Sequence, residues 1–262
     1  MTFRRACTPF YSVHLPHPFR TLANAPALPH ASPHAPPLAP PHASPHEISM
    51  VARHPVRLVC VDLGGVVIRI RRSLEEALHA AGVPGYILES ITEEERRDVR
   101  AHASRHQRGE QDYQAFVERA YDVLGGRISR EILLAAHDAI LADEYPGVAH
   151  ALGAIRAAGA TTACLSNTND RHWDALVRLP AFEAIEHRHA SHLFGLEKPG
   201  SEIYRAFERA VGAASDEILF LDDLPENCAA AQSCGWHAVR IDHERDTAAQ
   251  IIAAARAYGV AV

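Results

Sequence analysis

Residues 58–67, with the sequence LVCVDLGGVV, predict a buried parallel strand that ends at a carboxylate. Four apolar residues precede Asp62, and Gly64 and Gly65 follow it, so the backbone can turn sharply and approach a ligand closely. An aspartate at the carboxyl end of a central α/β strand lies where such sheets bind their ligands. Alone, this aspartate would be explained as a turn cap, but three later segments supply groups that a reactive carboxylate needs.

Residues 1–49 differ in composition from the rest of the chain. They contain eleven of the seventeen prolines and six of the eighteen histidines, and Glu47 is their one acidic residue. The sequence HASPH occurs at 30–34 and again at 42–46. Because this stretch lacks periodic apolar residues, we expect a disordered tail with polyproline II character.

Three explanations of this tail stay open. It can carry a Pro-x-x-Pro ligand at Pro37 to Pro40, or bind metal loosely through its histidines. The third, which we favour, is that Met50 is the natural start of the protein. The tail lacks the apolar core of a secretory signal, and no run of eighteen apolar residues occurs anywhere, so we expect no membrane partner.

The charge balance and the cysteines indicate the setting in which the chain works. Residues 50–262 carry 23 Lys and Arg against 31 Asp and Glu, a net charge of −8, so we expect no nucleic-acid partner. The five cysteines have no metal-ligand spacing, and Cys60 and Cys164 lie in apolar strand patterns. Buried thiols in a reducing cytoplasm are the expectation. The sequence gives no indication of the oligomeric state.

Residues 73–143 are predicted to form a small helical cap inserted after the first strand. Thr92 and Glu95 have the spacing of a capping box, which begins one helix. Three further helices are predicted from apolar stripes, namely Leu74, Ala77, Leu78 and Ala81; Tyr113, Phe116, Val117, Ala120 and Tyr121; and Ile132, Leu133, Ala136, Ile140 and Leu141. The remaining residues, 50–72 and 144–262, are predicted to form one core domain.

From Tyr145 onward the pattern alternates between helix and strand. Apolar runs at 161–165, 217–221 and 236–241 predict strands, and a short extended piece is expected near 186–190. Amphipathic helices are predicted between them and at 248–258. Repeated βα units of this kind predict an α/β fold with a doubly wound parallel sheet.

Polar residues stand at the predicted strand ends or just beyond them. These candidate site residues are Asp62, Ser166, Asn167, Lys198, Asp222 and Asp223. Because the carboxyl ends of parallel strands meet at one edge of a sheet, we expect these residues to share a pocket that binds a small molecule.

The residue types in this pocket suit phosphoryl transfer to an aspartate. Asp62 can attack an electrophile as a carboxylate. Oxygens of Asp62, Asp223 and the Gly64 carbonyl suit Mg²⁺, with Asp222 as a ligand or a support for one. Ser166, Asn167 and Lys198 are predicted to bind the phosphoryl group, with Ser166 donating a hydrogen bond and Lys198 stabilising developing charge.

Four segments resemble motifs I to IV of the haloacid dehalogenase (HAD) superfamily, in order and at typical spacing. They are DLGGV at 62–66, LSNTN at 165–169, EKP at 197–199 and LDD at 221–223. Within subfamily IA, LSNTN, KPGSEIY at 198–204 and DDLPEN at 222–227 are similar to α-D-glucose-1-phosphate phosphatases. The resemblance covers about residues 56–242. It implies a Rossmann-like core, a helical C1 cap, Mg²⁺ and hydrolysis of a sugar phosphate through an aspartyl-phosphate.

One position departs from most phosphatases of that superfamily. They carry a second aspartate two residues after the nucleophile as general acid, whereas this chain has Gly64, as the glucose-1-phosphatase-like branch also does. His102, His106 and Glu110 are candidates for supplying the proton, although a solvated helix face is the explanation that we favour for each of them. Two alternatives therefore stay open: a 2-haloacid dehalogenase, and a non-catalytic protein that binds a phosphorylated metabolite.

Overall fold

The computed structural model describes residues 55–262, and the predictions for residues 1–49 lie outside the described residues. Its strands are β1 (Leu58–Val61), β2 (Ile68–Ile70), β3 (Leu141–Glu144), β4 (Thr161–Ser166), β5 (His187–Ala190), β6 (Ile218–Asp222) and β7 (His237–Arg240). Its helices are α1 (Leu74–Ala80), α2 (Gly85–Glu89), α3 (Glu93–Gln107), α4 (Tyr113–Val123), α5 (Arg130–Asp138), α6 (Val148–Ala157), α7 (Asp170–Leu176), α8 (Pro180–Glu183), α9 (Ser191–Phe194), α10 (Ser201–Val211), α11 (Pro225–Ser233) and α12 (Thr247–Ala257).

A parallel sheet of five strands, in the order β5-β4-β1-β6-β7, forms the centre of the fold. β1 lies in the middle, with Val61 paired to Cys164 of β4 on one side and to Leu221 of β6 on the other. The chain builds the sheet outward from β1 in both directions, so the strand order reverses there. The predicted α/β fold with a doubly wound parallel sheet is confirmed.

Helices cover both faces of this sheet, which explains why its strands are apolar throughout. Successive residues of β1 point to opposite faces. Val59 and Val61 pack in one buried cluster with side chains of α6, α8 and α12, whereas Leu58 and Cys60 pack in another with side chains of α10 and α11. The sheet is therefore held rigidly between two apolar layers, and its strand ends are fixed in position.

Residues 74–138 form five helices with an apolar cluster of their own. Thr92 begins α3 with the predicted capping box, because its hydroxyl accepts from the N–H of Glu95 while the Glu95 carboxylate accepts from the N–H of Thr92. The sequence predicted four helices; the fifth, α2, buries no residue and lacks a side-chain cap. That 73–143 is a separate cap domain stays a prediction.

The end of the fourth predicted helix was placed wrongly. That apolar stripe included Leu141, but α5 ends at Asp138, and Leu141 pairs with Ile70 in an antiparallel two-stranded sheet of β2 and β3. Strand pairing therefore overrides the local helical spacing. This small sheet links the five helices to the core at the end of β1. Among the helices of residues 55–262, none combines the length and apolar character that a bilayer crossing requires.

Replacing Phe207 by alanine should lower the free energy of unfolding by about 3–5 kcal/mol, because it removes a large buried ring and leaves a cavity. Phe207 is fully buried on α10, with its ring centroid 5.2 Å from that of Trp236. The matched control is Tyr86→Ala, which truncates a ring that is 74% exposed and should change stability by less than about 0.5 kcal/mol. Urea denaturation measures both, and equal losses would contradict the assigned core.

Candidate active site

The carboxyl ends of β1, β4 and β6 bring the predicted polar residues together. The N–H of Asp62 donates to the carbonyl of Leu221 at 2.8 Å, which joins the end of β1 to β6. Ser166 is the last residue of β4, Asp222 is the last of β6, and Asp223 follows directly. Oxygens of Asp62, Asp222 and Asp223 lie within 4.8 Å of one another, and all three residues are buried.

Lys198 reaches this cluster from the loop before α10. Its Nζ lies 3.1 Å from Asp62 Oδ1 and 2.7 Å from Asp222 Oδ2, and the lysine side chain is 1% exposed. The pKa of Lys198 is raised, because attraction to Asp222 and Asp62 outweighs the opposite effect of burial. The ammonium therefore stays charged and holds the nucleophile candidate next to Asp222.

Asn167 places Lys198 in the site. Its Nδ2 donates to the Lys198 carbonyl at 2.8 Å, and its Oδ1 accepts from the Lys198 N–H at 2.9 Å. The side-chain amide of Asn167 thus donates to and accepts from the backbone of the same residue, as the backbone of a neighbouring β-strand would. The observed contacts thus position Lys198, and direct binding of substrate by Asn167 stays a prediction.

The two adjacent aspartates have different surroundings. Asp222 is fully buried, and its oxygens accept from Lys198, from the Leu224 N–H at 2.9 Å and from Asn227 Nδ2 at 3.1 Å. Asp223 Oδ2 pairs with Arg72 Nη2 at 2.5 Å, and His243 Nδ1 lies 4.0 Å from the same oxygen. Asp222 is thus occupied by protein donors, whereas Asp223 keeps an oxygen available to a ligand.

Three carboxylates face two cations here, so the cluster carries a net negative charge that a bound cation balances. Carboxylate oxygens are hard ligands, which suits Mg²⁺. The carboxylates of Asp62 and Asp223, with the carbonyl of Gly64, which lines the same cavity, are the residues that fit such an ion. Asp222 supports the site by holding Lys198.

Burial raises the pKa of Asp62 to about 6, and the neighbouring Asp222 adds to the rise. Lys198 and a hydrogen bond from Ser166 act in the opposite direction. A basic carboxylate is a better nucleophile than a strongly acidic one, provided that it remains ionised at the working pH. The environment of Asp62 satisfies both conditions near neutral pH.

Gly65 is required by the geometry of the site. Its φ is +77°, and a Cβ there would lie 2.5 Å from both Asp223 Oδ2 and Arg72 Nη2. A Cβ on Gly64 would meet the Cδ1 of Ile70 at 2.9 Å, the end of a flexible side chain. Glycine at position 65 is thus needed to leave room for the Arg72–Asp223 pair. Position 64 would tolerate a side chain after a small shift of Ile70.

A cavity of about 280 Å³ opens from this cluster toward the helices of 74–138. The strand-end residues that line it are Asp62, Gly64, Ser166, Asn167, Lys198 and Asp223. Its other wall includes Ala103, His106, Gln107, Phe116, His137, Ile140, Asn169 and His172. The site is therefore enclosed on one side by charged groups and on the other by apolar and imidazole side chains.

Sequence reasoning missed His137, Asn169 and His172 as lining residues. Asn169 Nδ2 lies 3.3 Å from His137 Nε2 and 3.2 Å from His172 Nδ1. The two imidazole rings stack with centroids 4.1 Å apart. His137 lies at the end of α5 and His172 in α7, and no periodicity links positions 35 residues apart. The sequence signal was limited to LSNTN, which contains Asn169.

The three arginines that follow motif I, at positions 69, 71 and 72, make different contacts. Arg72 enters the cavity and pairs with Asp223, while Arg69 stacks on the ring of Tyr145 at 4.4 Å. Arg71 donates to the backbone carbonyl of Ala139. Of these three arginines, Arg72 is therefore the one placed to contact a substrate.

The three residues that the sequence offered as general acids also differ in their position relative to the cavity. His106 is buried and lines the cavity, whereas His102 does not line it. Glu110 is exposed and pairs with Arg105 and Arg108. Of the three sequence candidates, the structure brings only His106 to the site.

Comparison with known proteins agrees with this geometry. The model of the haloacid dehalogenase-like hydrolase family matches residues 56–235. No curated protein matches the chain in sequence.

Three solved structures illustrate the shared fold. An HAD family enzyme from Bacteroides thetaiotaomicron, in complex with magnesium and inorganic phosphate, is 24% identical with a TM-score of 0.62, covering 73% of this chain and 96% of that one. A predicted HAD-like family hydrolase from Porphyromonas gingivalis is 23% identical with a TM-score of 0.63, covering 78% and 99%. An L-2-haloacid dehalogenase from Xanthobacter autotrophicus, with chloropropionic acid covalently bound, is 20% identical with a TM-score of 0.53, covering 71% and 77%.

At these identities the solved structures show a common fold, and the family model adds a match over more than half of the sequence. The strand order and the strand-end carboxylates are consistent with both. The chain therefore belongs to the haloacid dehalogenase-like hydrolase family.

Proposed function

We propose that this chain is a Mg²⁺-dependent phosphatase that hydrolyses a small phosphorylated metabolite through an aspartyl-phosphate on Asp62. The observation that carries the proposal is the buried cluster in which Lys198 contacts Asp62 while Asp222 and Asp223 supply further carboxylates. Two adjacent carboxylates beside the nucleophile favour a divalent cation and a phosphate ester. The magnesium and phosphate in the Bacteroides structure support the same assignment.

In this mechanism Asp62 attacks phosphorus through its carboxylate, and the bond to the leaving oxygen breaks. Ser166 donates a hydrogen bond to a phosphoryl oxygen, and Lys198 places its charge beside the nucleophile and the phosphoryl group. Asn167 keeps Lys198 in place through the two backbone contacts described above. Water then hydrolyses the aspartyl-phosphate and regenerates Asp62.

Asp62, Asp223 and the Gly64 carbonyl are the residues that we propose to hold Mg²⁺, with Asp222 in support. When bound, the ion neutralises phosphoryl charge and aligns the phosphate with the nucleophile. Arg72 already contacts Asp223 and lines the cavity, so it is placed to contribute a second cationic group.

The substrate proposed within this class is a sugar phosphate such as glucose 1-phosphate. The support is the likeness of LSNTN, KPGSEIY and DDLPEN to the glucose-1-phosphatase branch of subfamily IA. A cavity of about 280 Å³ has room for a small metabolite. We propose a cytoplasmic location, because four of the cysteines are free and buried.

The second candidate function is a 2-haloacid dehalogenase. It is favoured by Gly64, since such enzymes also lack the second aspartate, and by the shared fold with the Xanthobacter enzyme. The adjacent Asp222 and Asp223 favour the phosphatase instead, because clustered carboxylates form a cation site. A non-catalytic protein that binds a phosphorylated metabolite is the third reading.

Protein beginning at Met50 should release phosphate from a panel of sugar phosphates only when Mg²⁺ is present. Asp62→Asn should abolish this release, because the amide cannot act as the nucleophile. The control is Asp98→Asn, an exposed residue of α3 outside the cavity, which should leave the rate unchanged. Phosphate release unaffected by EDTA would contradict the metal requirement. Release of halide from 2-chloropropionate, without phosphate release, would establish the dehalogenase instead.

The two adjacent aspartates should respond differently to the same substitution. Asp223→Asn should weaken Mg²⁺ binding at least about tenfold. Asp223 is the carboxylate that keeps an oxygen available to a ligand, and the substitution turns it into a neutral amide. Asp222→Asn should instead lower the free energy of unfolding by about 3 kcal/mol, because it leaves Lys198 with one carboxylate partner. Calorimetric titration with Mg²⁺ and urea denaturation measure the two effects. The reverse pattern would show that Asp222 is the principal ligand.

As the pH rises, the metal-free wild-type protein should lose stability relative to Asp62→Asn, in which residue 62 does not titrate. The pKa of Asp62 is raised from its ordinary value of 3.8 to about 6, first of all by burial. A raised carboxyl pKa stabilises the fold below the unfolded value, and that contribution is lost as the pH rises through about 6. Urea denaturation in EDTA between about pH 4 and pH 7 measures the difference. A difference that does not vary with pH would contradict the raised pKa.

A further inference from the structure

The proposed reaction requires a proton for the leaving oxygen, and Gly64 cannot supply it. We infer that His106, in helix α3, is the general acid and base of this site, acting through its Nε2 atom. This inference rests on the proposed phosphatase function and names the residue that performs its proton transfers. It follows from the protonation chemistry of the side chains that line the cavity.

The charged groups at the strand ends are already committed. Asp62 is the nucleophile, and Lys198 is held between it and Asp222 with a raised pKa. Asp223 and Arg72 form an ion pair, and a guanidinium does not give up its proton in proteins. None of these groups can donate a proton to a leaving oxygen and recover it in the same cycle. The remaining titratable groups of the lining are three histidines.

Two of these histidines are tied into a hydrogen-bonded cluster. His172 Nε2 donates to the His137 carbonyl at 2.8 Å, and Asn169 Nδ2 lies against His172 Nδ1 and His137 Nε2. Burial lowers the pKa of His137 to about 3 and also lowers that of His172. Asn169 therefore occupies one ring nitrogen of each histidine, and both nitrogens of His172 are engaged. The two rings form a fixed wall of the cavity.

His106 lies outside this cluster. His137 Nδ1 is also buried without a hydrogen bond, but it lies 3.6 Å from the carboxylate of Asp138, a residue that does not line the cavity. The Nδ1 of His106 lies 2.9 Å from the carbonyl of Gln111, and because a carbonyl only accepts, Nδ1 carries a hydrogen. Its Nε2 is buried without a hydrogen-bond partner among residues 55–262. The nearest carboxylate, Asp170 Oδ1, stands 4.0 Å away. A buried polar atom without a partner calls for an explanation, and proton exchange with a ligand provides one.

The ring of His106 is held rigidly while Nε2 stays uncommitted. Phe116 stacks against it with centroids 5.5 Å apart and an interplanar angle of 12°, and the residue is 2% exposed. The Gln111 contact fixes its rotation about the long axis of the side chain. A general acid must be held in one orientation in this way to transfer a proton efficiently.

The proton balance closes over the two steps. The cycle begins with His106 as the imidazolium, which carries a hydrogen on Nε2 as well as on Nδ1. As Asp62 attacks phosphorus, the bond to the leaving oxygen breaks, its electron pair stays on that oxygen, and the proton of His106 Nε2 moves to it, which leaves a neutral imidazole. Water then attacks the phosphorus of the aspartyl-phosphate and gives a proton to Nε2, while the bond between phosphorus and Asp62 breaks. Inorganic phosphate leaves, and both side chains return to their starting states. No co-reactant other than water is needed.

The test compares leaving groups that differ in their need for a proton. Acetyl phosphate releases acetate, which leaves without one, whereas phenyl phosphate and glucose 1-phosphate release poorer leaving groups. His106→Asn should lower kcat/KM for the latter two by about 10²- to 10³-fold, and for acetyl phosphate by less than about threefold. kcat/KM is the proper measure because it reports only phosphoryl transfer to Asp62. Asparagine also keeps an amide near the position of Nδ1, so the Gln111 contact is retained.

His102→Asn is the matched control, because His102 lies one turn earlier in α3, has a buried unpartnered Nδ1, and does not line the cavity. It should leave kcat/KM unchanged for every substrate. A further expected result is a burst of acetate from acetyl phosphate in His106→Asn, since the second step has lost its base. Circular dichroism and thermal melting confirm that each variant is folded.

Two results would overturn the inference while leaving the phosphatase intact. One is an equal loss of kcat/KM for all three substrates in His106→Asn, which would make His106 a structural residue. The other is no loss for any of them. Failure of wild-type protein to release acetate from acetyl phosphate in Mg²⁺ is a separate outcome, which would overturn the proposed function and the role of His106 together.

Discussion

The contact of Lys198 with Asp62 and Asp222 is the interaction on which the rest of the site depends. Two carboxylates this deeply buried repel each other and lose hydration, and each penalty amounts to several kcal/mol without a counter-charge. The ammonium at 3.1 and 2.7 Å offsets both at once. The two carboxylates in turn offset the cost of burying the Lys198 ammonium. The three charges are therefore stable only as a group, and they fix the distance between β1 and β6 at their ends.

The fold supplies what this charge cluster requires. β1 lies between two parallel neighbours and two apolar layers, so the peptide that carries Asp62 cannot shift. Lys198 comes from a loop, where it would otherwise be mobile, and Asn167 at the end of β4 pins its backbone at both polar groups. Glycine at 65 then allows Arg72 to approach Asp223. The rigid sheet thus positions the reactive carboxylate, while hydrogen bonds and a glycine position the groups that come from loops.

The sequence predicted the parallel sheet and the meeting of Asp62, Ser166, Lys198 and the aspartate pair, because both follow from local patterns. Apolar runs mark the strands, and topology alone then brings the strand ends to one edge. The sequence offered His106 as one of three candidates without selecting it, and it did not predict His137 or His172, since the wall formed by these histidines joins helices whose relative placement depends on packing. The same limit explains Leu141, whose helical spacing was overridden by pairing with Ile70. Long-range contacts between helices leave no periodic signal.

In the proposed mechanism, glycine at position 64 divides the chemistry between the two walls of the cavity. In a site with an aspartate at that position, nucleophile and general acid stand on one loop of the core. Here the core wall holds Asp62, the proposed nucleophile, with its charged partners, whereas His106, the inferred general acid, lies on α3. Proton transfer then requires both walls around the same leaving group. A substrate that does not fill the space between the walls makes fewer contacts and also receives no proton on its leaving oxygen. The same fit therefore determines both binding and catalysis.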